Sequence, residues 1–185
     1  MRIIGGQFKG KKIIFPKNIK TRPLKDFVKE NIFNVLNHSN KFNIDINKSE
    51  VLDLYAGSGS FGLECISRGA KKVTFIEQDV ITLKTLSKNL DLFSIKERYN
   101  LINTRVESAL IKLKGKKFDI FFFDPPFEDV NIIKNLEEIK KMEIFKTQHL
   151  IIIHRENKKT DFNSRIINIL ETKNYRRSKI YFAAF

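Results

Sequence analysis

The sequence predicts an α/β fold, a doubly wound parallel sheet covered by helices on both faces that finishes in an antiparallel hairpin, preceded by a small N-terminal appendage. Three observations predict it. Short apolar runs alternate with amphipathic stretches from about residue 50 onward. A glycine-rich turn follows the first of these runs and opens a helix. The last two β-rich runs, 166–171 and 179–184, follow each other with no helix between them.

The elements are expected in this order. Ile3-Ile4 and Ile13-Ile14-Phe15, broken by Gly5-Gly6 and Gly10, read as a hairpin over 2–15. Thr21-Arg22-Pro23 opens a helix over 24–37, whose stripe of Phe27, Val28, Ile32, Val35 and Leu36 docks the appendage on the main domain. Residues 38–49, rich in Asn, Lys and Ser, form a connector. Strands are predicted at 51–55, 72–76, 99–103, 118–123 and 150–154, with helices at 60–69, 79–92, 106–113 and 129–141. Lys173-Asn174-Tyr175 is the expected turn of the terminal hairpin. With 185 residues, one core is the expectation: an arm over 1–40 and a main domain over 50–185.

Charge points to a polyanionic partner. Lys and Arg number 35 against 21 Asp and Glu, a formal charge of +14. Lys, Asn, Ile and Phe are all abundant, as A/T-rich codons would make them, so distribution says more than the total. Eight basic residues precede the first acid, Asp26. Among them Arg2, Lys9, Lys11, Lys12 and Arg22 are the candidates for nucleic-acid contact, the alternative being a solvated surface. The lone Cys65 excludes an intramolecular disulfide, and no signal-peptide order or long apolar run is present, so a cytoplasmic protein is expected. No apolar patch is left over, which suggests a monomer. His38, His149 and His154 lack ligand spacing, so no metal site is expected.

Two motifs carry chemistry. In Asp53-Leu54-Tyr55-Ala56-Gly57-Ser58-Gly59-Ser60-Phe61-Gly62 the glycines permit a tight turn and let a ligand lie against main-chain N–H groups. Gly57-x-Gly59-x-x-Gly62, with Glu77 ending the next strand, also satisfies the dinucleotide fingerprint, so the turn alone leaves NAD and S-adenosylmethionine open. Asp53 favours the second, because a carboxylate there suits an amino-acid ammonium and opposes a pyrophosphate. Asp124-Pro125-Pro126-Phe127 ends the apolar strand 118–123 and so faces the same crevice. The Asp124 carboxylate and Pro125 carbonyl are fixed acceptors for the two N–H groups of a base amine, and Phe127 offers a stacking face. Cys65 reads as a small core residue, which disfavours covalent attack on a pyrimidine ring.

These residues together resemble the RsmD family of bacterial ribosomal RNA guanine-N2 methyltransferases. The resemblance spans nearly the whole chain: Arg2-Ile3-Ile4-Gly5-Gly6, Lys9-Gly10, Thr21-Arg22-Pro23 with Asp26, Val28, Glu30 and Phe33-Asn34, then Leu52-Asp53 with Ala56–Gly59. It continues through Gly62-Leu63-Glu64, Ser67–Ala70, Glu77, Asn89-Leu90 and Asp124–Phe127. It implies a class I (Rossmann-like) seven-stranded methyltransferase fold and a guanine of 16S rRNA in an assembled or partly assembled small ribosomal subunit, with guanine 966 as the type position. It also implies that Asp53, Tyr55, Ala56, Gly57, Ser58, Gly59, Glu77 and Gln78 line S-adenosylmethionine, and that Asp124, Pro125, Pro126 and Phe127 hold the guanine. Thr104-Arg105-Val106 stands where such proteins often carry an acid and a small residue, so adenine contacts are expected mainly from backbone. The competing readings are methylation of adenine N6 in DNA or of a glutamine amide, an NAD-dependent oxidoreductase, and a non-catalytic RNA-binding module. Asp53, Asp124 and the antiparallel tail argue against the last two.

Overall fold

The computed structural model describes residues 1–16, 24–126, 131–157 and 165–185. Seven strands form one sheet: β1 (Glu50–Asp53), β2 (Lys72–Ile76), β3 (Tyr99–Ile102), β4 (Phe118–Phe123), β5 (Phe145–Glu156), β6 (Asn168–Tyr175) and β7 (Ser178–Ala184). Their spatial order is β3-β2-β1-β4-β5-β7-β6. The first five run parallel, and β7 enters antiparallel between β5 and β6. Order reverses between β1 and β4, which opens a crevice beyond their carboxyl ends.

Alternation along the strands divides the interior into two cores. Val51, Val73, Ile120, Phe122, Leu150, Ile152, Ile180 and Phe182 face one side. Leu52, Phe121, Phe123, Ile151, Ile153 and Tyr181 face the other. Helices α1 (Asp26–His38), α2 (Ser60–Ser67) and α3 (Val80–Leu92) cover the first face, and α4 (Val106–Lys112) and α5 (Ile132–Lys141) the second. The described residues of 1–40 share the first core, since Ile3, Ile13, Leu24, Val28, Ile32, Phe33 and Leu36 belong to it.

The expected N-terminal hairpin is present in short form: the antiparallel bridge of Arg2 with Lys12 is flanked by Ile3 N donating to Lys11 O at 2.9 Å and Ile13 N to Met1 O at 3.1 Å, around a 3-10 turn at Gly6–Phe8. Pairing ends where Gly10 N donates to Ile3 O at 2.9 Å and Lys11 N turns to Phe8 O, and Glu64 anchors the segment from outside, its Oε2 accepting from Ile4 N at 2.8 Å and its Oε1 from Gly5 N at 2.7 Å. On α1, Phe27 is 65% exposed, while Lys29, absent from the predicted stripe, is fully buried. The Thr21-Arg22-Pro23 opening lies outside the described residues.

Two strand boundaries move furthest from their expected positions. β5 begins five residues early because Phe145 pairs with Phe118 ahead of a register shift, through polar residues that hydrophobic periodicity passes over. Lys173, Asn174 and Tyr175 pair with Ile180, Lys179 and Ser178, so they belong to β6 and the turn is Arg176-Arg177. β6 is an edge strand with one neighbour, and its polar residues resemble a turn in composition alone.

Candidate active site

A cavity of about 820 Å³ opens at the carboxyl ends of β1, β2 and β4. Its floor is the turn after β1. Gly57 (φ +57) and Gly59 (φ +83) take the left-handed conformation that favours glycine. A Cβ on Gly57 would meet nothing closer than 4.0 Å, so this part of the turn faces open space. A Cβ on Gly59 would lie 2.5 Å from Leu86 Cδ1, so that glycine is required by packing against α3.

Asp53 ends β1 and is buried, yet it borders the cavity. Its Oδ2 accepts from Gly62 N at 3.2 Å, while Oδ1 has no hydrogen-bond partner. Burial pushes its carboxyl up to about 8, with Asp124 and Glu77 adding to the rise. An ammonium placed against Oδ1 would supply the missing partner and favour the anion.

Glu77, at the end of β2, accepts from Gly57 N at 2.9 Å and from Asp79 N at 2.8 Å, one bond to each oxygen. Burial raises its carboxyl, and those backbone donors oppose the rise. Each oxygen keeps lone-pair capacity for one hydroxyl of a diol. Asp79 caps α3 through Thr82, whose N and Oγ1 both donate to Oδ1 at 2.7 Å. Gln78 is exposed between them and also borders the cavity.

Asp124 follows β4 and faces the same space, where Pro126 and Phe122 also lie. Pro125 is buried beneath the loop. Asp124 Oδ1 is 2.7 Å from Nδ1 of His154 on β5, the two side chains being 19% and 13% exposed. Tyr55 is fixed by Asn135 of α5, whose Nδ2 donates to the phenol oxygen at 3.1 Å. Phe127 lies outside the described residues, as does Arg22.

The fold thus brings Asp53, Tyr55, Ala56, Gly57, Ser58, Glu77, Gln78, Asp124 and Pro126 around one cavity. Gly59 lies behind it as the cap of α2. Arg2, Lys9, Lys11 and Lys12 do not border it. Lys11 sits over the rings of Phe8 (4.9 Å) and Phe93 (5.5 Å), at the end of α3 that is about 20 Å along its axis from Asp79.

The family described as conserved hypothetical protein 95 matches residues 1–184. A relative from Haemophilus influenzae, ribosomal RNA small subunit methyltransferase D, is 42% identical over 69% of this chain. The matched stretch is 64% of that relative's own length, less than two thirds of it. Its namesake from Buchnera aphidicola is 34% identical over 85% of this chain and 79% of its own. The chain belongs to the RsmD family.

A solved structure of the candidate methyltransferase yhhF from Escherichia coli superposes with a TM-score of 0.84 at 29% identity, covering 99% of this chain and 96% of that one. The topology is that of class I, Rossmann-like methyltransferases.

In this RsmD-family chain Thr104 and Arg105, at the expected adenine-contact position, line the wall beside Glu77. The structure adds residues that sequence reasoning passed over: Glu107 and Ser108 on the same wall, and Asn131, the N-cap of α5, with Lys134 on the wall beside Asp124. His154 was set aside for want of ligand spacing, and only its strand register beside β4 reveals the contact with Asp124. Asn89 accepts from Ile14 N at 2.8 Å and donates to Ser58 O at 2.8 Å, so it ties the N-terminal arm to the glycine turn. The RsmD resemblance had marked Asn89-Leu90 without a role for either. Among the described residues, no cluster of His, Cys, Asp or Glu is arranged to hold a metal ion, and no helix is long and apolar enough to cross a membrane.

Proposed function

We propose that this chain methylates the exocyclic N2 of a guanine in small-subunit ribosomal RNA, using S-adenosylmethionine. The observation that carries this reading is Asp53: a buried carboxylate bordering the cavity, with an unpartnered oxygen, in the same space as Asp124. It is supported by the names of the relatives, ribosomal RNA small subunit methyltransferase D.

In this reading Asp53 Oδ1 takes the cofactor's ammonium, Glu77 its ribose hydroxyls, and the 104–108 wall its adenine, largely through backbone. When bound, S-adenosylmethionine supplies an electrophilic methyl on a sulfonium. The protein's task is to present the amine. The Asp124 carboxylate and the Pro125 carbonyl accept its two N–H groups, which orients the nitrogen lone pair for in-line attack. As the N–C bond forms, the methyl's bond to sulfur would break to leave a neutral thioether, and the nitrogen would give up one proton to Asp124. Phe127 provides the stacking face for the guanine ring.

The test is incubation with methyl-labelled S-adenosylmethionine and, in parallel, naked 16S RNA, small subunits lacking the modification, and duplex DNA, followed by nucleoside separation. Label in N2-methylguanosine is expected from RNA or subunits, and the better of the two identifies the form of substrate that is read. Asp124→Ala should lower the rate by at least about 100-fold while cofactor binding persists. Label confined to N6-methyladenine in DNA, or full activity of Asp124→Ala, would overturn the reading.

A further inference from the structure

Of the basic residues expected to meet RNA near the N-terminus, Arg2, Lys9, Lys11 and Lys12 do not border the cavity and Arg22 lies outside the described residues, so a strand entering the crevice calls for other cations beside it. The rim itself offers them. β7 pairs with β5 so that Ile180 faces His154 and Ser178 faces Glu156. The Arg176-Arg177 turn therefore lies beyond the carboxyl end of β5, at the end of the sheet where Asp124 and the cavity are found. Two inter-strand spacings separate it from Asp124, roughly 10 Å across the sheet, with about as much again along the strands.

This turn is exposed and held in place: Asn157 N donates to Arg177 O at 3.1 Å, and Asn157 Nδ2 donates to Tyr175 O at 3.2 Å. Next to it Tyr175 meets Phe27 edge to face, with centroids 6.0 Å apart and planes at 89°. Phe27 is 65% exposed. It opens α1 three residues after Leu24, which borders the cavity. An exposed aromatic face beside two exposed arginines on a backbone turn held in place is the chemistry that holds single-stranded nucleic acid, by stacking and by phosphate contact.

We propose that the RNA strand flanking the target base docks on a rim made by Phe27, Tyr175, Arg176 and Arg177. The proposal rests on the RNA reading given under Proposed function and adds the surface that aligns the substrate. A strand crossing this rim stacks a base on Phe27 and sets two phosphates against the arginines, which delivers the neighbouring nucleotide to Asp124.

The experiment compares the wild type with Arg176→Glu/Arg177→Glu, with Phe27→Ala, and with Lys114→Glu/Lys116→Glu. The last makes the same charge change in the exposed loop at the opposite end of the sheet. Binding to unmodified small-subunit RNA is followed across a salt series, with S-adenosylmethionine affinity and melting temperature measured on each variant.

The arginine variant should lose about tenfold or more in RNA affinity near 0.15 M salt and reduce the salt slope by about 1–2. Phe27→Ala should raise the KM for RNA about fivefold with kcat little changed. Cofactor affinity should stay within about twofold in all variants, and the lysine control should fall clearly short of the arginine variant. Arginine and lysine variants losing RNA affinity equally, or neither losing any, would overturn the rim. A wild-type protein that neither binds nor methylates RNA would remove the underlying reading and the rim with it. Wild-type methylation with indifferent rim variants would remove the rim alone.

Discussion

Nδ1 of His154 lies 2.7 Å from Oδ1 of Asp124, joining the end of β5 to the loop after β4. That bond occupies one carboxylate oxygen and leaves the other for a substrate amine. His154→Phe keeps the ring's bulk and removes the donor, so kcat is expected to fall about 10- to 100-fold through a misdirected Asp124. The cofactor dissociation constant should not move. His154→Asn restores an N–H at similar reach and should recover kcat to within about threefold. Full kcat in His154→Phe would mean that the loop prolines alone orient Asp124.

Asp53 predicts a pH dependence with a definite sign. Its carboxyl stands at about 8 in the folded protein, raised by burial, against about 3.9 in an unfolded chain. The folded state therefore holds this proton more tightly. The stability it contributes is complete below about pH 4 and is lost as pH rises through about 8. A ligand ammonium against Oδ1 favours the carboxylate, so binding expels the proton. Between about pH 6 and 7.5, calorimetry in buffers of different ionisation enthalpy should report release of about one proton, with affinity rising up to about tenfold per pH unit. Asp53→Asn should abolish both effects. Proton release unchanged in that variant would place the linkage elsewhere.

Lys29 and Glu64 form a fully buried pair with Nζ 3.3 Å from Oε2. Burial lowers the Lys29 ammonium, and the Glu64 charge opposes that shift. Lys29 also donates to Arg2 O at 2.8 Å and Ser60 Oγ at 3.1 Å, and Glu64 binds Arg68 Nε at 2.9 Å besides Ile4 N and Gly5 N. One network thus anchors the arm to α1 and α2. Lys29→Met leaves Glu64 with Arg68 as its remaining cation and strips the donor from Arg2 O, and should destabilise the fold by about 1–3 kcal/mol, or roughly 2–12 °C in melting temperature for a chain of this size. Lys29→Met with Glu64→Gln should recover part of that loss. A loss under about 1 kcal/mol in the single variant would assign the anchoring to Ile3 and Ile13 instead.

Local pattern by itself determined the order of strands and helices, the glycine turn, and the placing of Asp53, Glu77 and Asp124 at strand ends. Period-2 alternation and glycine chemistry act over a few residues, and a parallel sheet sends every strand end to one crevice. The far end of edge strand β6 and the early start of β5 escaped because their polar residues are held by backbone pairing, which leaves no apolar period. The N-terminal hairpin is short because Gly10 N takes Ile3 O, and its anchor, Glu64 accepting from Ile4 N and Gly5 N, lies some 60 residues later in the chain. His154 against Asp124, Lys29 against Glu64, Asn89 against Ile14 and Phe27 against Tyr175 were likewise decided only by tertiary structure. Each joins residues from different elements, and strand register and helix packing, which no local period encodes, decide which polar groups meet.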